Sequence, residues 1–137
     1  MTQQFLKKLR AFAFLAFLFT FSCNKPPYKP DYKNAKGYVI AKEICKANEA
    51  DDYWLVDLTY FLDTSQYGDT LVLNGRTYTN VIKTIGLDQR LKQIGMTVSL
   101  DFKTITSDKI HTIGCTVANP ITYDLKELFI INQFEIR

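Results

Sequence analysis

Leu71-Val72-Leu73-Asn74-Gly75-Arg76-Thr77-Tyr78 sets two runs of β-forming residues on either side of an Asn-Gly pair. Both central residues of a type I′ turn need positive φ, which Asn and Gly tolerate, so this is a strong local signal for a two-residue hairpin. The return strand is expected over Arg76 to Lys83. Downstream, Met96, Val98, Leu100 and Phe102 alternate with Thr97, Ser99, Asp101 and Lys103, the period of a half-buried strand. Between these lies one candidate helix, Leu87 to Ile94, with Asp88 at its N-cap, Leu87, Leu91 and Ile94 on one stripe, and Gly95 at its end.

Upstream, Gly37 to Lys46 and Tyr53 to Leu62 read as strands around the polar turn Asn48 to Asp52. The second carries Trp54, Val56, Leu58, Tyr60 and Leu62 on one face. Tyr53, Leu55, Asp57, Thr59 and Phe61 lie on the other, so both faces are expected to be covered for part of its length. Asp63 to Asp69 reads as loop, Ile110 to Val117 as a strand containing Cys115, and Leu125 to Arg137 as a final strand.

This pattern predicts a mainly β domain, a small antiparallel β-barrel with one short helix. The order of elements resembles the oligonucleotide/oligosaccharide-binding (OB) fold, in which a helix after the third strand plugs a five-stranded barrel. The resemblance covers Gly37 to Arg137 and is one of topology. It implies a contact surface on the outer faces of the middle strands, at Tyr53, Arg76 and Tyr78. A β-sandwich is the runner-up.

The N-terminus is organised differently. Lys7, Lys8 and Arg10 precede the eleven-residue apolar run Ala11 to Phe21, and Ser22 stands immediately before Cys23. A helix of that length reaches about 16 Å, roughly half the hydrocarbon thickness of a bilayer, which suits a secretory signal better than a span. Phe19-Thr20-Phe21-Ser22-Cys23 looks like a bacterial lipoprotein signal, which implies that Cys23 is acylated and becomes the new N-terminus. An ordinary secretion signal and a short uncleaved anchor are the other readings.

The expected organisation is a signal peptide at 1–22, the acylated cysteine and a Pro/Lys-rich linker at 23–36, and one domain at 37–137. In Asn24 to Lys36, three prolines and four lysines with no large aliphatic residue favour an extended tether. Asn24 and Lys25 are not acidic, which by resemblance to sorting rules leans toward the periplasmic face of the outer membrane.

The leader also distorts the charge. The whole chain of 137 residues has a formal net charge of +3, but residues 23–137 hold 14 basic and 14 acidic side chains. A neutral body argues against nucleic-acid binding, which rests on a basic surface. With Cys23 lipidated, Cys45 and Cys115 form an even pair in an oxidising compartment, and a disulfide between them is expected, with two buried thiols as the alternative.

Residues able to carry chemistry are few. His111 is the only histidine, and no Cys, His or carboxylate spacing marks a metal site or cofactor. Asp101 belongs to a polar strand face, and Glu49-Ala50-Asp51-Asp52 lacks the alternating ligands of a calcium loop. Asp57, among apolar neighbours, must be paired or reach a ligand, because an isolated buried charge is too costly. Tyrosines in or beside strands, with apolar rings and wet hydroxyls, are the remaining signal, as contact residues or as ordinary residues of the barrel. The reading is a lipid-anchored envelope module without catalysis, tethered to the bilayer through Cys23. Its contact with an envelope protein or saccharide would run through Tyr53, Asp57, Arg76 and Tyr78. The alternatives are a structural subunit of an envelope assembly, or a carboxylate-dependent hydrolase of envelope polymers.

Overall fold

The computed structural model describes residues 31–59 and 65–136. The leader, Cys23, most of the linker and the Tyr60–Leu62 end of the second expected strand lie outside the described residues.

Six strands follow in chain order: β1 Lys33–Lys42, β2 Trp54–Asp57, β3 Asp69–Leu73, β4 Arg76–Thr84, β5 Thr97–Thr104 and β6 Leu128–Glu135. They form one sheet in the order β3-β4-β2-β1-β5-β6, with every neighbouring pair antiparallel. The mainly β architecture is as expected. The sheet is not closed by a continuous ladder. β4, one strand in from the β3 edge, meets the residue before β6 at a single parallel bridge between Lys83 and Glu127, where the Lys83 N–H donates to the Lys126 carbonyl at 3.0 Å. Further along, the Gln133 side chain spans the gap, donating to the Gly86 carbonyl (3.0 Å) and accepting from the Asp88 N–H (2.7 Å).

The hairpin forms as its sequence requires: Leu73 faces Arg76, and Asn74 and Gly75 have φ of 51° and 78°. On β5, Val98, Leu100 and Phe102 are fully buried, and they pack with Ala35, Val39, Trp54, Val56, Leu58, Ile82, Leu87, Leu91 and Leu128 in the main core. Tyr67 meets Phe102 edge-on, with ring centroids 5.1 Å apart, while Lys33 lies over the Tyr67 ring. Gly37 lets β1 approach β2: a Cβ there would stand 2.4 Å from the Asp57 carbonyl oxygen. Within this core the Trp54 Nε1 is buried and has no hydrogen-bond partner among the described residues.

β2 is buried on both faces, as its sequence suggests. Leu55 turns away from the main core into a second cluster with Ala41, Val81 and Leu125, which Ile40, Leu71, Leu73, Tyr78 and Tyr123 cover. A bulge in β1 between Val39 and Ala41 makes this second layer possible. One extra residue reverses the parity of a strand. Val39 therefore points into the main core, while Ala41, two residues on, points into the second cluster.

Several boundaries differ from the sequence reading. β1 begins at Lys33, inside the expected linker, because Ala35 is small enough to bury beside Leu100 while its neighbours stay exposed. Beside it, an ion pair of 2.5 Å with Lys103 holds the Asp31 carboxyl below its ordinary range. The expected helix is a single 3-10 turn, Gln89–Leu91. Leu87 and Leu91 do plug the core, but Ile94 is exposed, and the Asp88 carboxylate pairs with Arg90 instead of capping. No strand forms at Ile110 to Val117. Gly114 takes φ of 66°, Ile113 points outward, and the run is tied by an isolated bridge from Ile110 to Leu125 and by the Thr116 N–H donating to the Cys45 carbonyl at 2.7 Å. The last strand has the expected type but starts at Leu128.

Candidate functional site

β4 outruns β2. Its pairing with β2 covers only Val81 to Thr84, so Arg76 to Thr79 project beyond β2 and pair with β3 alone. There the Arg76 guanidinium stacks over the Tyr78 ring, 4.9 Å from the centroid. Across from them stand Tyr38 and the bulged Ile40 of β1, with Ile94 and Gly95 from the loop before β5. These residues line a groove of about 460 Å³. Arg76 has no carboxylate partner among the described residues, and no acidic side chain lines the groove.

Of the four expected contact residues, the structure thus brings two together. Asp57 is buried, and its carboxylate turns back on Thr59, accepting from the hydroxyl (2.6 Å) and the backbone N–H (3.3 Å). That local pairing is how a carboxylate survives between apolar neighbours. Tyr53 goes elsewhere. Tyr38, Ile40 and Ile94 join the groove because of the β1 bulge and a loop, neither of which strand alternation reveals.

Tyr53 lies against the most heavily buried polar cluster in the molecule. Glu43 and Lys83 are both fully buried and 3.3 Å apart. Lys83 Nζ also donates to Thr112 Oγ1 (2.7 Å) and the Tyr123 carbonyl (2.9 Å), which satisfies all three of its protons. Glu43 in turn accepts from the Thr112 hydroxyl (2.6 Å) and the Tyr123 N–H (2.9 Å). Lys83 Nζ sits 4.7 Å from the centre of the Tyr53 ring, whose hydroxyl donates to Glu127 at 3.2 Å. Burial, then the neighbouring Glu127 and Glu43 carboxylates, push this phenol up to about 12. Lys83 has no free proton to offer a substrate, and both side chains are sealed from solvent. Its role is to fasten the segment between β5 and β6 onto the sheet.

A disulfide between Cys45 and Cys115 fastens the same segment, with Cα atoms 4.5 Å apart. The bonded pair is the expected one. Its base is fixed by Asp52, whose carboxylate accepts from the Cys45 and Lys46 N–H groups at 2.9 and 2.8 Å. The acidic stretch around residue 50 is therefore a 3-10 turn whose last carboxylate caps backbone, in keeping with its reading as a turn. His111 and Asp124 pair at 2.7 Å on the open surface. Asp101 accepts from the side-chain amides of Asn34 (2.7 Å) and Asn132 (3.3 Å) on the outer face of the sheet. Among the described residues no group of three or more His, Cys, Asp or Glu side chains is placed to hold a metal ion.

Against known proteins, the chain matches no family model, no curated protein and no solved structure.

Proposed function

We propose that this chain is a non-catalytic binding module of the bacterial envelope, held to the membrane by a lipid on Cys23. It meets its ligand, a saccharide or an envelope protein, in the groove of Tyr38, Arg76 and Tyr78. The observation that carries this reading is the Arg76–Tyr78 stack facing Tyr38 across the groove. A guanidinium already flattened on a ring keeps its edge donors for a ligand, and the rings offer stacking faces. The strand order and the single parallel bridge from β4 to Glu127, just before β6, support an OB-like, partly closed barrel as its frame. An outer-membrane location facing the periplasm rests on the leader together with the non-acidic Asn24 and Lys25 that follow Cys23. The hydrolase alternative loses its leading residue, since Asp57 is engaged by Thr59.

Two measurements test the proposal. Labelling cells with a radioactive fatty acid should mark the wild-type chain and leave Cys23→Ser unlabelled; equal labelling removes the tether. Calorimetric titration with soluble saccharide fragments and solubilised envelope proteins should show binding that Arg76→Ala or Tyr78→Ala weakens about tenfold each, the scale of one lost stacking or charge-assisted contact. Binding untouched by both substitutions would move the site elsewhere.

A further inference from the structure

The sheet has a second opening, at the seam where β4 and β6 part. Beyond the Lys83–Glu127 bridge, Thr84-Ile85-Gly86 forms one wall and Leu128-Phe129-Ile130 the other, with Ile105 and the Ala50-Asp51 turn completing a cleft of about 450 Å³. Its walls are mostly apolar, and Ile85, Ile105 and Phe129 are 46%, 52% and 59% exposed. Apolar exposure then continues along β6 through Ile131 and Phe134. Large exposed side chains of this kind, in the cleft and beyond it on the same strand, mark an interaction surface.

The charge of the cleft is one-sided. Asp51 and Glu127 are its only charged lining residues. Neither carboxylate has a cationic partner among the described residues: Asp51 accepts from the Asn48 amide (3.2 Å) and Glu127 from the Tyr53 hydroxyl (3.2 Å). Complementarity therefore calls for a cation carried on an apolar body.

We infer that this cleft docks a segment of a partner protein in which a lysine or arginine stands between apolar residues. The basic group meets Asp51 and Glu127, and its apolar neighbours lie on Ile85, Ile105 and Phe129. A polypeptide fits better than a free amine because the exposed row on β6 extends past the cleft. A small amine would leave Ile131 and Phe134 in water. The site is separate from the Arg76 groove and stands without it.

The test uses the purified full-length chain and three probes in calorimetric titrations: a peptide with one lysine between leucines, the same peptide with glutamate for lysine, and n-hexylamine. The lysine peptide should bind, the glutamate peptide at least about tenfold more weakly, and hexylamine more weakly than the lysine peptide. The double variant Asp51→Asn/Glu127→Gln, which keeps an acceptor for Tyr53, should weaken the lysine peptide about tenfold. Gly86→Leu should abolish its binding by filling the cleft. A Cβ at Gly86 meets only Thr84 Oγ1 at 3.6 Å and Ile130 Cβ at 3.8 Å, so this variant is expected to fold. Equal affinity for the lysine and glutamate peptides, binding unaffected by both variants, or tighter binding of hexylamine would overturn the inference. So would self-association of the chain that Gly86→Leu removes while no peptide binds, since the occupant would then be a second copy.

Discussion

The strands β1, β5 and β6 and the irregular run at 105–127 that joins β5 to β6 are held in opposite ways. β5 lies between two long partners, and its inward side chains add many modest burials to a continuous ladder. The run at 105–127 has no strand. It is fixed at a few points: the Glu43–Lys83–Thr112 cluster, the Cys45–Cys115 bond, and the bridges of Ile121 to Ile44 and of Glu127 to Lys83. In the first region stability is spread thin, and in the second it is concentrated. A substitution in the sheet should therefore cost what its own atoms bury, whereas one at a fastening point should free a whole segment.

The contrast is broken most sharply at Glu43. Glu43→Leu leaves the buried Lys83 ammonium without its counter-charge and should destabilise the fold by about 3–5 kcal/mol in urea denaturation followed by circular dichroism. Adding Lys83→Met should return most of that loss, since an apolar pair of similar volume is often as stable as a buried ion pair. A single variant costing under about 1 kcal/mol would mean the cluster does not fasten the segment.

Removing the disulfide with Cys45→Ser and Cys115→Ser opens a covalent loop of 70 residues' separation. The chain-entropy estimate for such a loop is roughly 4 kcal/mol. Limited proteolysis should then cut within 105–127 before it cuts any strand. Leu100→Ala, in the distributed region, should cost about 3 kcal/mol while leaving that cleavage pattern unchanged. At the hairpin tip, where Gly75 holds φ of 78° with open space around it, Gly75→Ala should cost about 1 kcal/mol through backbone strain alone.

The smallest effect is one of pH. Tyr53 has its phenol raised in the folded protein, so the folded state holds that proton longer than the unfolded one. Its contribution is complete below the unfolded value near 10 and is lost as pH rises through about 12. Tyr53→Phe should remove the tyrosine step near pH 12 from the ultraviolet absorbance curve and move alkaline unfolding to higher pH. An unchanged alkaline midpoint would detach Tyr53 from that stability.

The same division decides what the sequence made legible. Alternation at Met96 to Lys103 and the Asn74-Gly75 pair are local signals, and the structure realises both. The two-faced burial of β2 could also be read, because Leu55 and Val56 are apolar on opposite faces. The bulge at Ile40 could not. It depends on how β1 is shared between β2 and β5, and it redirects every residue from Ala41 to Cys45. Nothing local in the sequence marks Glu43 and Lys83 as a pair, because 40 residues separate two partners that are buried together. The resemblance to the OB fold grouped Tyr53 with Arg76 and Tyr78; the shared hairpin arm keeps the last two together, whereas Tyr53 faces Lys83 across the second layer. For the cysteines, the pair expected at Cys45 and Cys115 is the pair that is bonded.

Trp54 is the only tryptophan in the chain, and its indole sits in the main core with no hydrogen bond to its nitrogen among the described residues. An indole in such apolar surroundings emits at short wavelength, and water reaching it shifts the emission to the red. The molecule thus carries its own optical gauge of core integrity. Because Trp54 pairs directly with Thr84, on the wall of the seam cleft, that gauge sits one strand away from the place where a partner would press.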